Sequence, residues 1–299
     1  MRATTRSGLT WQPYLVLALG VFSVSWGAIL VRLAAAPALW VGAFRLFAAS
    51  LILTPFALSR SSVELRQMSR RDLGLIAASG IFLGVHFATW ISSLSYTSVA
   101  SSVALVSTTP LFVGLAARFL FGQRVSSQMF LGIALAALGA AIIGWGDLRT
   151  SGEAIWGDSL ALLGAVTVAA YFLIGRNLRR RISLLAYVTP TYWTATVVLG
   201  LALLLSGQPV LGYPVETYRM VLLLALGPQI LGHSSFNWAL GYLSPTFVTV
   251  MILGEPVGST ILAYLVLHER PSALKLLGGA VILIGIYLCS RAEATGGLP

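Results

Sequence analysis

Two polar stripes stand out in this otherwise apolar chain. His86, Trp90 and Ser93 recur at i, i+4 and i+7, and Gln229, His233 and Asn237 at i, i+4 and i+8, so each set shares one face of a helix. Thr167 and Tyr171 form a third set at i, i+4, and Ser23 and Trp26 a fourth at i, i+3. Such hydroxyl, amide, imidazole and indole groups suit the binding of a small amphipathic molecule. The same residue types also hydrogen-bond neighbouring helices within a membrane, contributing ~0.6 kcal/mol each without holding any ligand. Glu255 is the one carboxyl group placed deep in an apolar segment. Pro256 after it cannot donate to the carbonyl four residues earlier, so the helix should kink there and free an acceptor. One reading has Glu255 take up a proton or face a substrate ammonium. The other has it donate, when protonated, to the freed carbonyl, or neutralise Arg45. Thr109 stands before Pro110 in the corresponding place and completes the candidate contact set. Arg45 lies about a third of the way into its segment and is expected to reach toward the outer interface.

None of this amounts to an enzyme. His86, His233 and Glu255 would make a metal set only if all three met, and their spacing is not diagnostic of one, so no metal is expected. Cys289, the single cysteine, permits no disulfide within the chain. No phosphate-cradling glycine motif is present, which argues against ATP-driven pumping, and no cofactor is expected.

The elements that position these residues must lie in a membrane. Of 299 residues, 57% are hydrophobic and 9% charged, whereas a soluble domain carries about 25% charged residues. Runs long enough to cross a hydrocarbon core, ~20 residues each, fall at about 14–34, 38–58, 73–95, 98–120, 127–145, 156–176, 184–206, 217–240, 244–267 and 273–291. The expected class is therefore an all-α integral membrane protein with ten transmembrane helices. The first run is too long for the core of a secretory leader, ~7–15 residues, and is read as a span. The net charge of +10 comes from cations between spans and reflects orientation rather than nucleic-acid binding. Alternate connections carry thirteen on one side, including Arg60, Arg66, Arg70, Arg71 and Arg176, against five on the other, including Arg32 and Arg219. Both termini are expected in the cytoplasm. Trp11, Trp40, Trp145, Trp156 and Trp193 sit near span ends and are expected to anchor at the interfaces.

Sliding the chain against itself at an offset of 146 pairs Tyr96 with Tyr242, Ser98 with Ser244, Pro110 with Pro256, Gly132 with Gly278 and Gly139 with Gly285. Ten identities fall within residues 96–139, where roughly four are expected from so biased a composition. At an offset of 144, Gly20 meets Gly164 and Arg32 meets Arg176. The chain divides into 1–150 and 151–299, each with five spans. Five is odd, so the second copy enters from the opposite side and makes two inverted five-helix repeats, an arrangement of transporters with a site at mid-membrane. The glycine tracks of spans five (Gly132, Gly139, Gly144) and ten (Gly278, Gly279, Gly285) suit close helix packing, as a scaffold or a homodimer face.

Ile252-Leu253-Gly254-Glu255-Pro256, followed by Leu267-His268-Glu269-Arg270 and Leu277-Gly278-Gly279-Ala280 with Gly285, resembles the end of an EamA-type member of the drug/metabolite transporter superfamily. Ser107-Thr108-Thr109-Pro110, Gly122-Gln123-Arg124 and Gly132 with Gly139 repeat it more weakly in the first half. Size and layout are similar to those of bacterial exporters of aromatic and other neutral amino acids. The resemblance implies a secondary exporter of the bacterial inner membrane, working by alternating access on amino acids or similar small metabolites, with lipid its other contact. Gln123 stands where the second half has Glu269, and Thr109 where it has Glu255, so a charge-based mechanism would be carried by one half. For a zwitterion, Gln229, Asn237 or carbonyls freed near Pro110 and Pro256 would accept from the ammonium, and Trp90 and Tyr171 would form the apolar wall. A carrier for drugs or nucleotide sugars, an intramembrane enzyme and a passive channel are the alternatives.

Overall fold

In a computed structural model, the structure describes residues 11–119, 126–145, 152–268, 270 and 273–295. Arg2, Arg6, Gln123, Arg124, Arg149, Glu269 and the chain termini, which enter the orientation and repeat arguments, lie outside the described residues. Every regular element among those described is helical. In chain order they are α1 (Gln12–Ser25), α2 (Gly27–Ala34), α3 (Ala38–Arg60), α4 (Ser62–Arg66), α5 (Arg70–Ser93), α6 (Val99–Val106), α7 (Thr109–Phe119), α8 (Ser127–Trp145), α9 (Gly152–Arg179), α10 (Leu184–Leu205), α11 (Val215–Leu224), a π-helical stretch (Ala225–His233), α12 (Ser234–Ala239), α13 (Pro245–Ile252), α14 (Gly254–Leu267) and α15 (Ala273–Thr295). Six stretches among the described residues are long and apolar enough to cross a membrane: 12–34, 38–60, 70–93, 153–179, 184–205 and 245–267. Shorter apolar helices cover 101–116, 127–139 and 276–285. The outward faces bear exposed Phe22, Leu51, Phe130, Leu204 and Ile261, side chains that water would not tolerate in such density.

Four of the predicted spans are interrupted: the kink expected at Pro256 and its repeat mate Pro110 is present, and spans one and eight break as well. Span one breaks at Trp26, where the Ser25 hydroxyl donates back to the Val21 carbonyl at 2.8 Å. Spans four and nine break at matching places, Ser107–Thr108 and Leu253, each just ahead of its proline at 110 or 256. Pro110 leaves the Val106 carbonyl without its helical donor, and the Thr109 hydroxyl supplies one at 2.6 Å. In span eight, Pro228 lies inside the π-helical stretch, where the i→i+4 ladder is already replaced by i→i+5 bonds.

Repeat-related residues make repeat-related contacts. Gly20 of α1 packs against Ser235 and Phe236 of α12, while its mate Gly164 of α9 packs against His86, Thr89 and Trp90 of α5. Arg32 donates to the Thr97 carbonyl just beyond α5, and its mate Arg176 to the Leu240 carbonyl just beyond α12, each cation meeting the negative end of a helix. The glycine tracks face one another: a Cβ on Gly139 would fall 2.6 Å from the Gly278 carbonyl oxygen, and one on Gly285 equally close to that of Gly132. Spans five and ten therefore pack backbone to backbone, side by side with the rest of the bundle. Trp40 corrects an expectation. It is fully buried, stacked on Phe44 with centroids 4.4 Å apart, and donates its indole N–H to the Val210 carbonyl, so the 208–218 connection roofs it over. Trp193 is half-buried and donates to the Thr54 hydroxyl. Trp11 and Trp156 are exposed at helix starts, and the Trp145 side chain lies outside the described residues.

Candidate functional site

The four interruptions converge. A cavity of about 50 Å³ is lined by Val24 and Gly27 at the break of span one, Ser107, Thr109 and Pro110 at that of span four, Pro228 and His233 from the π-helical stretch, and Ile252 and Glu255 at the break of span nine. Unbroken spans supply Arg45, His86, Trp90, Val168 and Phe172, while Phe236 and Thr249 complete the wall. The breaks at 24–27, 106–110 and 252–255 fall near the middle of spans one, four and nine, which sets the cavity at mid-depth along them. Backbone irregular at that depth is tolerated where it borders protein or a cavity, which is where these breaks occur.

The stripes of spans three and eight meet there as the spacing predicts. The His86 and His233 rings lie 6.4 Å apart, and His86 stacks parallel to Trp90 at 6.0 Å. His86 Nδ1 lies 3.0 Å from the Gly164 carbonyl oxygen, which can only accept, so Nδ1 carries the proton and Nε2 of the neutral ring is left as an acceptor. Five of the ten candidates line the cavity: His86, Trp90, Thr109, His233 and Glu255.

The other five do not line it. Ser23 is buried where span one crosses span eight, 3.5 Å from the position of a Cβ on Gly227. Trp26 occupies the break itself and packs partly buried on the core. Asn237 donates to the Tyr171 hydroxyl and, at 2.7 Å, to the His233 carbonyl, which ties spans six and eight together. Gln229 turns away and accepts from Arg45 Nε at 3.1 Å. Tyr171, the fifth, is fully buried under the Asn237 amide, and Thr167, its stripe mate outside the ten, donates its hydroxyl to the Leu163 and Gly164 carbonyls of its own helix. The wall residues are neighbours of those expected: Phe172 beside Tyr171, Val24 and Gly27 beside Ser23 and Trp26, Pro228 and Phe236 beside Gln229 and Asn237. One residue is a turn of about 100° on an α-helix, enough to move a side chain from the cavity into the packing.

Arg45 is the largest departure from expectation. It does not reach the outer interface: it is 1% exposed, its guanidinium carbon lies 4.2 Å over the Phe87 ring, and it lines the cavity. Span seven and the π-helical stretch pack on α3, and the side chain is held by Gln229 and Phe87. Glu255 does not donate to the freed Ile252 carbonyl, one of the structural parts considered for it. Among the described residues it has no hydrogen-bond partner, so the bond that Thr109 makes to Val106 has no counterpart between Glu255 and Ile252. Asp72–Arg181 at 2.5 Å and Glu216–Arg219 at 3.0 Å are ion pairs, whereas Arg45 and Glu255 share the cavity without an ion pair within 4.0 Å among the described residues. Arg45 Nη1, Trp90 Nε1 and His233 Nδ1 are buried without a partner. A guanidinium, a carboxyl group and unsatisfied donors thus line a small cavity. No three potential metal ligands come together among the described residues.

Broken apolar helices around a mid-depth cavity, built from two related halves, define a membrane transporter. The sequence profile of the EamA-like transporter family matches residues 11–145 and again 155–291, and the chain belongs to that family. It is 25% identical over 247 residues to an uncharacterized transporter of Bacillus subtilis, covering 81% of this chain and 78% of that one. A Streptantibioticus cattleyicolor protein named "Probable terminal-alkyne amino-acid exporter" is 28% identical over 79% of each chain. An Escherichia coli protein named "Probable amino-acid metabolite efflux pump" is 26% identical over 57% of this chain and 60% of its own. One crystal structure superposes with a TM-score of 0.76 at 20% identity, covering 96% of this chain and 99% of that one, a likeness of fold.

Proposed function

We propose that this transporter exports neutral amino acids or similar zwitterionic metabolites by alternating access, with ten transmembrane helices in two inverted repeats, 1–150 and 151–299, and both termini in the cytoplasm of a bacterial cell. The observation that carries the proposal is the cavity, which places a guanidinium and a carboxyl group, beyond 4.0 Å from one another, within an aromatic wall. A zwitterion with a side chain is the small molecule that matches both. Glu255 takes the place of Gln229 and Asn237 as the acceptor for the ammonium, since neither amide lines the cavity: Gln229 Oε1 holds Arg45, and Asn237 is turned so that its amide nitrogen donates to the Tyr171 hydroxyl and the His233 carbonyl. Trp90, Phe172 and Phe236 form the wall for the side chain. The names of the Streptantibioticus and Escherichia relatives support the same substrate class. At about 50 Å³ the cavity has room for a few waters, at ~10–15 Å³ each on this scale. A whole amino acid requires the helices to part, and the breaks at Trp26, Ser107–Thr108 and Leu253 are the places where half-helices can tilt.

The test is a panel of labelled substrates with the purified full chain in liposomes. Flux of methionine, threonine or phenylalanine is expected. Flux of nucleotide sugars or phosphorylated metabolites with none of amino acids would refute the substrate class.

A further inference from the structure

Resting on the amino-acid reading, the geometry points to Arg45 as the group that binds the substrate's carboxylate, held in position by Gln229, so that the carrier demands a free carboxylate. A guanidinium removed from water is costly unless an anion or several acceptors meet it. Arg45 is 1% exposed, yet among the described residues it has no ion-pair partner, and its one hydrogen-bond acceptor is the Gln229 Oε1 reached by Nε. The Phe87 face 4.2 Å below satisfies part of the charge and fixes the plane of the group. Nη1 is left buried and unpartnered in a residue that lines the cavity, and Trp90 Nε1 is a second unpartnered donor on the same cavity. Two donors with no acceptor of their own describe a seat for an anion of planar shape, and an arginine fork matches a carboxylate there.

Gln229 is what turns the fork inward. Pro228 and His233, five residues apart, both line the cavity because the π-helical stretch advances about one turn in that interval, and Gln229 is thereby rotated onto α3, where its oxygen holds Nε. Glu255 sits on the same cavity beyond ion-pair distance from Arg45, which leaves each charge to one end of a zwitterion.

The test measures calorimetric binding of L-methionine, L-methionine methyl ester and the oxo acid 4-methyl-2-oxopentanoate to the purified full chain in detergent. Wild type is expected to bind methionine at least tenfold more tightly than its ester. Arg45→Gln, checked for fold by circular dichroism and gel filtration, should bring the two within twofold, and Gln229→Leu should reduce the preference in part. If Arg45→Gln does not fold, the wild-type ratio and the Gln229→Leu variant decide. Equal binding of acid and ester by wild type, a preference that survives in a folded Arg45→Gln variant, or the absence of binding by any carboxylate would overturn the inference. Amino-acid binding indifferent to the ester would refute the role of Arg45 and leave the substrate class standing. Arg45-dependent binding of the oxo acid with none of methionine would do the reverse.

Discussion

A Cβ built on Gly285 would lie 2.6 Å from the Gly132 carbonyl oxygen, 2.8 Å from the Ala136 nitrogen and 2.9 Å from the Ala136 Cβ. Two of these are backbone atoms of α8, so no side-chain rotation relieves the clash and the two helices must separate. A Cβ on Gly279 of the same helix α15 meets only Val257 Cγ2 at 3.8 Å, an ordinary contact. Both Gly→Ala changes gain the same helix propensity, up to about 1 kcal/mol, so the difference between them isolates the packing. Overpacking a tight contact costs about 1–3 kcal/mol. At about 2–4 °C per kcal/mol for large domains, Gly285→Ala should melt roughly 2–12 °C below Gly279→Ala. The assay is thermal unfolding of the purified full chain in one detergent, with transport measured alongside. Because this seam lies away from the cavity, the surviving Gly285→Ala protein should keep the wild-type substrate preference. Equal melting temperatures would refute backbone-to-backbone packing of spans five and ten.

Two further outcomes are expected. With Cys289 replaced, single cysteines at His86, Trp90, Phe172 or His233 should react with a small water-soluble thiol reagent and be protected by bound substrate, whereas cysteines at Tyr171, Asn237 or Gly278 should react at least tenfold more slowly; uniform protection would mean that the polar stripes only join helices. Asn237→Leu strands the buried Tyr171 hydroxyl and the His233 carbonyl, so it should cost about 1–3 kcal/mol of stability while leaving the acid-over-ester preference intact, and a lost preference at wild-type melting temperature would place Asn237 on the substrate instead.

Residue types and the 146-residue offset show where to look, but they do not show which way each side chain points. His86 and Trp90 keep a regular α-helical phase within α5, and both reach the cavity as their spacing predicts. In span eight the α-period misleads. The face actually presented is Pro228, His233 and Phe236, at intervals of five and three, because the backbone there is π-helical, and only Pro228 hinted at it in the sequence. In spans one and six the neighbours of the polar and aromatic candidates line the wall, and an apolar cavity face is marked by no polar residue. The same logic hid Arg45. A cation a third of the way into a span would ordinarily extend to the nearer interface, and only the tertiary arrangement shows that Gln229 and Phe87 hold it inward. The glycine tracks were the most legible feature, since small residues at matched positions in two repeat mates have few uses besides close contact.

Counterflow decides whether this chain is a carrier for amino acids. Liposomes containing the purified protein are preloaded with millimolar unlabelled methionine and diluted into a trace of labelled methionine. A site open to one side at a time predicts a transient accumulation of label well above its equilibrium level, abolished when the preloaded methionine is omitted. Label that rises only to equilibrium, whatever is inside, would indicate an open channel, and no uptake at all would remove methionine as a substrate.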